Sequence, residues 1–127
     1  MKPSALLTWT TMITALFLTL HVADDIARGM DTIGPHSLIA MAVLGLWLYG
    51  TLVLSGRAWG YILQLLLAML ALGVVIIHLR GAHMSQVAVS SGGVVFVWVL
   101  FVIGATSFMS MLLCAHGLIS MRMGQAR

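Results

Sequence analysis

Charge is what this sequence most conspicuously has little of. Only 7% of its 127 residues are Asp, Glu, Lys or Arg, against about 25% in a water-soluble domain, and no glutamate occurs anywhere. There is one cysteine, Cys114. A single thiol excludes an intrachain disulfide, paired-cysteine oxidoreductase chemistry and a four-thiolate metal centre. The six basic residues are scattered singly. The net charge of +3 therefore reflects a shortage of acids and not a polyanion-binding patch, so nucleic acid is excluded as an expected partner. With 61% hydrophobic residues in the chain, no room remains for a soluble catalytic or nucleotide-binding domain.

What is present is a series of long apolar runs. Four stretches, about 4–28, 37–54, 58–79 and 93–119, each have the length to cross roughly 30 Å of hydrocarbon as a helix. Pro3 suits a helix start. The first run lacks an A-x-A-like cleavage site ahead of Asp24-Asp25 and is read as a retained span. Gly34-Pro35, Ser55-Gly56-Arg57 and Ser90-Ser91-Gly92-Gly93 break the chain between runs, and connections this short imply antiparallel neighbours. The expected fold is an all-α membrane protein, a single-domain antiparallel four-helix transmembrane bundle over residues 1–127.

No charged residue falls near the centre of a run, where it would cost about 2.5 to 3.5 kcal/mol. One end of the bundle receives Lys2, Arg57, Arg122 and Arg127; the other receives Arg28 and Arg80 with the acids Asp24, Asp25 and Asp31. The positive-inside rule then places both termini in the cytoplasm. Trp59 and Tyr61 fall at the cytoplasmic interface and Trp98 at the outer one, levels that amphipathic rings prefer.

The outer end is where chemistry concentrates. His21, His36, His78 and His83 gather there with the three aspartates, while His116 lies at the other end. In a continued first helix His21 shares a face with Asp24 or Asp25, at i+3 and i+4. One reading is a divalent metal or polar-ligand cap drawn from His21, Asp24, Asp25, His78 and His83. A second uses His21 and His78, both after aliphatic residues at matching depth, as axial ligands of a b-type haem. The plainest reading is structural: helix ends shed charge into the headgroup region and the aspartates pair with Arg28 or Arg80. Leu20-His21 before Arg28-Gly29 and Ile77-His78 before Arg80-Gly81 hint at two like-oriented hairpins sharing one rim.

Other classes fare poorly. No carboxylate or cation sits at mid-membrane to couple transport to protons. Gln64, Thr14, Thr106, Ser107 and Ser110 read as polar glue between helices. Ser90 and Ser91 read as a turn and not as nucleophiles, and the ten methionines, spread over all runs, read as packing.

The pattern His21-x-x-Asp24-Asp25-x-x-Arg28-Gly29, with Trp47-Leu48-Tyr49-Gly50, His78-x-Arg80-Gly81 and Ser91-Gly92-Gly93, resembles a family of small bacterial four-span inner-membrane proteins over nearly the whole chain. The resemblance implies the fold and a multi-pass protein of the bacterial inner membrane with its polar cap on the periplasmic side. It implies no activity, substrate or catalytic residue. A bundle this small leaves most helix surface to lipid unless it associates, so the expected role is non-enzymatic: an accessory or assembly subunit of a larger membrane complex, or a self-associating bundle. The metal or polar-ligand cap is the alternative, and haem b the further one.

Overall fold

The computed structural model describes residues 3–27, 34–80 and 92–125. Among the described residues there are four helices: α1 (Pro3–Ala27), α2 (Pro35–Leu52), α3 (Ala58–Arg80) and α4 (Gly93–Gln125). No strand occurs among the described residues. The chain is a helical bundle and a multi-pass membrane protein. Three helical segments, Ala5–Ala27, Ala58–Arg80 and Gly93–Gly124, are long and apolar enough to cross a membrane, and Ser37–Leu52 is a shorter apolar helix beside them.

The helix boundaries follow local chemistry. At the start of α2, Gly34 is extended, Pro35 takes the first helical position, and the Gly34 N–H donates to Ser37 Oγ at 3.2 Å. At its end Val53 N–H and Leu54 N–H both donate to the Tyr49 carbonyl, at 2.9 and 3.3 Å, so α2 stops at Leu52 and not at residue 54. The turn that follows passes through Gly56 at φ +74°, a conformation that costs glycine nothing. α4 runs on to Gln125, six residues past the expected end at 119. At 33 residues it spans about 50 Å, well beyond the hydrocarbon, which carries Arg122 clear of the lipid tails.

The helices form an antiparallel ring in which α1 and α3 pack far more extensively on α4 than either packs on α2. Antiparallel register is visible in the pairings: Thr10 meets Ser110 and Thr14 meets Thr106 across α1 and α4. On α3 and α4, Val75 lies beside Gly104 and Tyr61 beside Gly117. A Cβ on Gly117 would stand 2.5 Å from the Tyr61 ring, so glycine is what lets the two helices close there.

The core is a band of Ala15, Leu18, Trp47, Leu67, Ala71, Val75, Phe96, Leu100 and Ile103. Large apolar side chains cover the outside as well, among them Trp9, Leu38, Met41, Leu66, Ile77 and Phe101. In water such a surface would aggregate; against acyl chains it is the expected exterior. Trp59 and Trp98, at 74% and 62% exposure, project outward near opposite ends of the bundle. α2 is the loosest member, and the space between it, α1 and α3 is where the cavity described next forms.

Candidate metal centre

His21 and Asp25 lie one turn apart near the end of α1, and His78 lies in the last turn of α3. Antiparallel packing through α4 brings these two helix ends together. The rings of His21 and His78 meet edge to face with centroids 4.6 Å apart, and Phe96 of α4 packs against both, at 5.3 and 5.8 Å. His21 is almost completely buried, at 3% exposure. Its Nε2 stands 3.4 Å from Asp25 Oδ2, and His78 Nε2 stands 3.8 Å from the same oxygen. One ligand atom from each residue falls within 4.8 Å of the other two.

The His78 tautomer can be derived. Nδ1 lies 2.8 Å from the Val74 carbonyl oxygen, one turn back, and a carbonyl can only accept, so Nδ1 carries the proton. In the neutral ring Nε2 is then a bare lone pair aimed at a carboxylate oxygen 3.8 Å away. Two acceptors facing each other at this distance repel unless a proton or a cation lies between them. Both contacts to Asp25 Oδ2 are longer than the 2.7 to 3.2 Å of a good hydrogen bond. The His21–Asp25 separation matches the spacing of about 3.4 Å between two ligand atoms held about 2.0 to 2.1 Å from zinc at the tetrahedral angle, and the set as a whole, spread over as much as 4.8 Å, would contract around one ion. The Val74 carbonyl also fixes the His78 ring as outer partners of metal-bound imidazoles do.

Two neutral imidazoles and one carboxylate form the donor set of open zinc sites and of facial iron(II) sites, both of which leave positions free for water or a further ligand. Of the residues expected to supply a metal, His21, Asp25 and His78 are brought together. Asp24 is not among them. It points to the other flank of α1, where with Leu20, His21, Val95, Phe96 and Val99 it lines a cavity of about 200 Å³ facing α4, because a step of three residues along a helix does not reach the face reached by a step of four. His83 lies outside the described residues, as do Arg28, Gly29, Asp31, Gly81, Ser90 and Ser91. His36 falls in the first turn of α2, and its side chain is outside the description.

The geometry favours a shared ion over a b-type haem between His21 and His78. Axial imidazoles stand on opposite faces of a porphyrin, whereas these two rings touch each other and Phe96, with no slot for a planar macrocycle between them.

Below the cluster opens a cavity of about 290 Å³ between α1, α2 and α3. His21, Asp25 and His78 stand at one end, Trp47 at the other, and the walls are almost wholly aliphatic. Trp47 is fully buried and its Nε1 has no hydrogen-bond partner among the described residues; the same holds for His21 Nδ1. An unmade bond on a buried donor costs about 1 to 3 kcal/mol. The sequence marks Trp47 only as part of a pattern in the second run, and the signal that could have singled it out is that it alone of the four tryptophans lies in the middle of a span.

Gln64, read as helix glue, is that. Its Nε2 donates to the Trp47 carbonyl at 3.0 Å and to Thr51 Oγ1 at 2.7 Å, holding α3 to α2 one turn beneath the indole. The fold and cluster together define a polytopic helical membrane protein with a two-histidine, one-aspartate centre at one rim. No family model, curated protein or solved structure matches the chain.

Proposed function

We propose that this is a membrane protein that binds one divalent transition-metal ion, of the zinc or iron(II) class, through His21, Asp25 and His78, at the end of the bundle opposite the chain termini. The carrying observation is the acceptor-to-acceptor approach of His78 Nε2 and Asp25 Oδ2 at 3.8 Å, with the His78 proton engaged by the Val74 carbonyl. A cation removes that repulsion. We read the membrane as a bacterial inner membrane with the metal centre on its periplasmic side; the four-to-two excess of basic residues at the terminal end supports that orientation.

The test is metal analysis of detergent-purified protein after zinc loading and removal of free metal. We expect about one zinc per chain, lost in His21→Ala, Asp25→Asn and His78→Ala and kept in Asp24→Asn and His116→Ala. No retained metal, or equal retention in His78→Ala, overturns the reading. The cluster would then be a proton-bridged ion pair and the chain the accessory subunit expected from its size. Sidedness has its own test: a cysteine introduced at Asp31 should react with an impermeant thiol reagent added outside spheroplasts, and one at Arg57 should not. The reverse pattern would turn the centre to the cytoplasm.

A further inference from the structure

We infer that the cavity between α1, α2 and α3 receives a lipophilic monoanion, a carboxylate of the fatty-acid class, whose head completes the coordination of the metal held by His21, Asp25 and His78 and whose chain lies along the cavity beside the lipid. The inference rests on the metal reading of that site and names the ligand class it takes. Three observations carry it. The three metal ligands are also wall residues of the cavity, so the centre and the space of about 290 Å³ adjoin directly. Most of the remaining wall is aliphatic, with Leu18, Val43, Leu44 and Val74 among its residues. The cavity is also half open: Ile39 of α2 and Leu70 of α3, both on its wall, are exposed on the surface that faces lipid.

Each observation constrains the ligand. Three protein donors leave a zinc-class ion at least one position short. His21 is buried, whereas the Asp25 and His78 side chains keep 19% and 31% of their surface, so the approach to the ion lies on their side. Two neutral imidazoles and one carboxylate leave a divalent ion with a single net positive charge, unfavourable at the edge of the hydrocarbon, and one monoanionic donor removes it. A carboxylate oxygen suits both zinc and iron(II). The wall decides what that head is attached to. An aliphatic chain against it has apolar surface on one side and lipid on the other, whereas a small free anion gains only the bond to the metal. Along α3 the wall runs from Leu70 to His78, about two helical turns or 12 Å, the reach of a chain of roughly ten carbons. Entry is sideways, from the bilayer.

The experiment uses the full-length chain in non-ionic micelles, loaded with cobalt(II), which enters zinc sites and whose visible absorption reports on its ligands. Decanoate is the probe. Acetate, with the same head, and methyl decanoate, with the same chain but no charge, are the controls. We expect decanoate to change the cobalt bands saturably and methyl decanoate to leave them in place. Half-saturation should come at a concentration about tenfold or more below that for acetate, the effect of burying roughly two methylenes. Micelles concentrate any amphiphile, so the deciding comparison is with Ala40→Phe and Val43→Phe, each of which fills the cavity from α2. Cobalt content and the acetate response should persist in both, showing that the site is intact, while the advantage of decanoate over acetate falls. Cobalt held by the unsubstituted chain with bands that decanoate leaves unchanged, or an undiminished decanoate advantage in the two variants, overturns this inference and leaves the metal reading standing. A chain that retains no cobalt overturns both.

Discussion

Two buried polar regions of the bundle are built on opposite terms. Along the seam of α1 and α4, Thr14 Oγ1 donates to Thr106 Oγ1 at 2.8 Å and Ser110 Oγ lies 2.9 Å from Thr10 Oγ1. The same hydroxyls also reach carbonyls one turn back on their own helices, Thr14 to Thr10 and Thr106 to Val102, at 2.8 and 2.7 Å. At the rim of α1 and α3 the polar atoms converge without closing: His21 Nδ1 has no partner among the described residues, and two imidazole nitrogens share one carboxylate oxygen at 3.4 and 3.8 Å. Thr14, Thr106 and Ser110 satisfy themselves locally and add a little adhesion, whereas Ser107 Oγ, also buried on α4, has no hydrogen-bond partner among the described residues. The proposed metal ion would complete the two imidazoles at this rim, as ionisable groups at membrane depth are completed by a partner.

Substitutions that treat the two regions alike should therefore have unlike effects, and the largest is expected at the rim. In His78→Leu the ligand set is broken, so the stabilisation that zinc gives the unsubstituted protein disappears. That stabilisation is about 2.7 kcal/mol when free zinc is 100-fold above Kd. Without metal the same substitution should leave the bundle as stable or more so, because it removes an acceptor facing a carboxylate and replaces it with a packing side chain. Thermal unfolding in detergent with and without zinc reads both effects. A metal-free His78→Leu protein that is strongly destabilised would make the cluster a structural ion pair, and the contrast between the regions would collapse.

Gln64 stands between the two extremes. Its two donated bonds tie α2 to α3 beneath Trp47, while Oε1 has no partner among the described residues. Gln64→Leu should cost roughly 1 kcal/mol, within the range for a side-chain hydrogen bond between membrane helices. It should also widen the spread of the Trp47 indole N–H signal in the nuclear magnetic resonance spectrum, since the helix bearing the cavity floor loses its anchor. An unchanged Trp47 signal would mean that packing alone fixes α2.

How far the sequence reveals these differences depends on what kind of information each needs. The fold is legible because the bilayer imposes it: runs of some twenty apolar residues broken by Gly34-Pro35 and Ser55-Gly56-Arg57 have few other solutions. The convergence of His21 with His78 is legible too, from crossing number alone. Choosing Asp25 over Asp24 is not, because both lie within a turn of His21 and the choice rests on the rotation of α1 about its axis, which is set by contacts with Phe96 and α4. The mutual contact of the two rings, which closes the space a haem would need, also depends on interaxial distance. Periodicity does not carry that. Trp47 is hidden for the same reason: inside an apolar run a wall of a cavity and a wall against lipid are written with the same residues.

The smallest expected effect is the most discriminating for the seam. Thr14→Val keeps the shape of the side chain and deletes the hydroxyl that links α1 to Thr106. Interhelical hydrogen bonds in membranes average about 0.6 kcal/mol, because the separated helices find other partners for the same groups. Here the alternative partner is already in place: Thr106 Oγ1 lies 2.7 Å from the Val102 carbonyl and keeps that bond when Thr14 is gone. The loss should therefore fall at or below that average, with zinc stoichiometry unchanged, as measured by unfolding and metal analysis on one preparation. A cost of several kcal/mol, or a loss of metal, would mean that the seam positions the rim, and that the hydroxyls and the imidazoles belong to one network across the bundle.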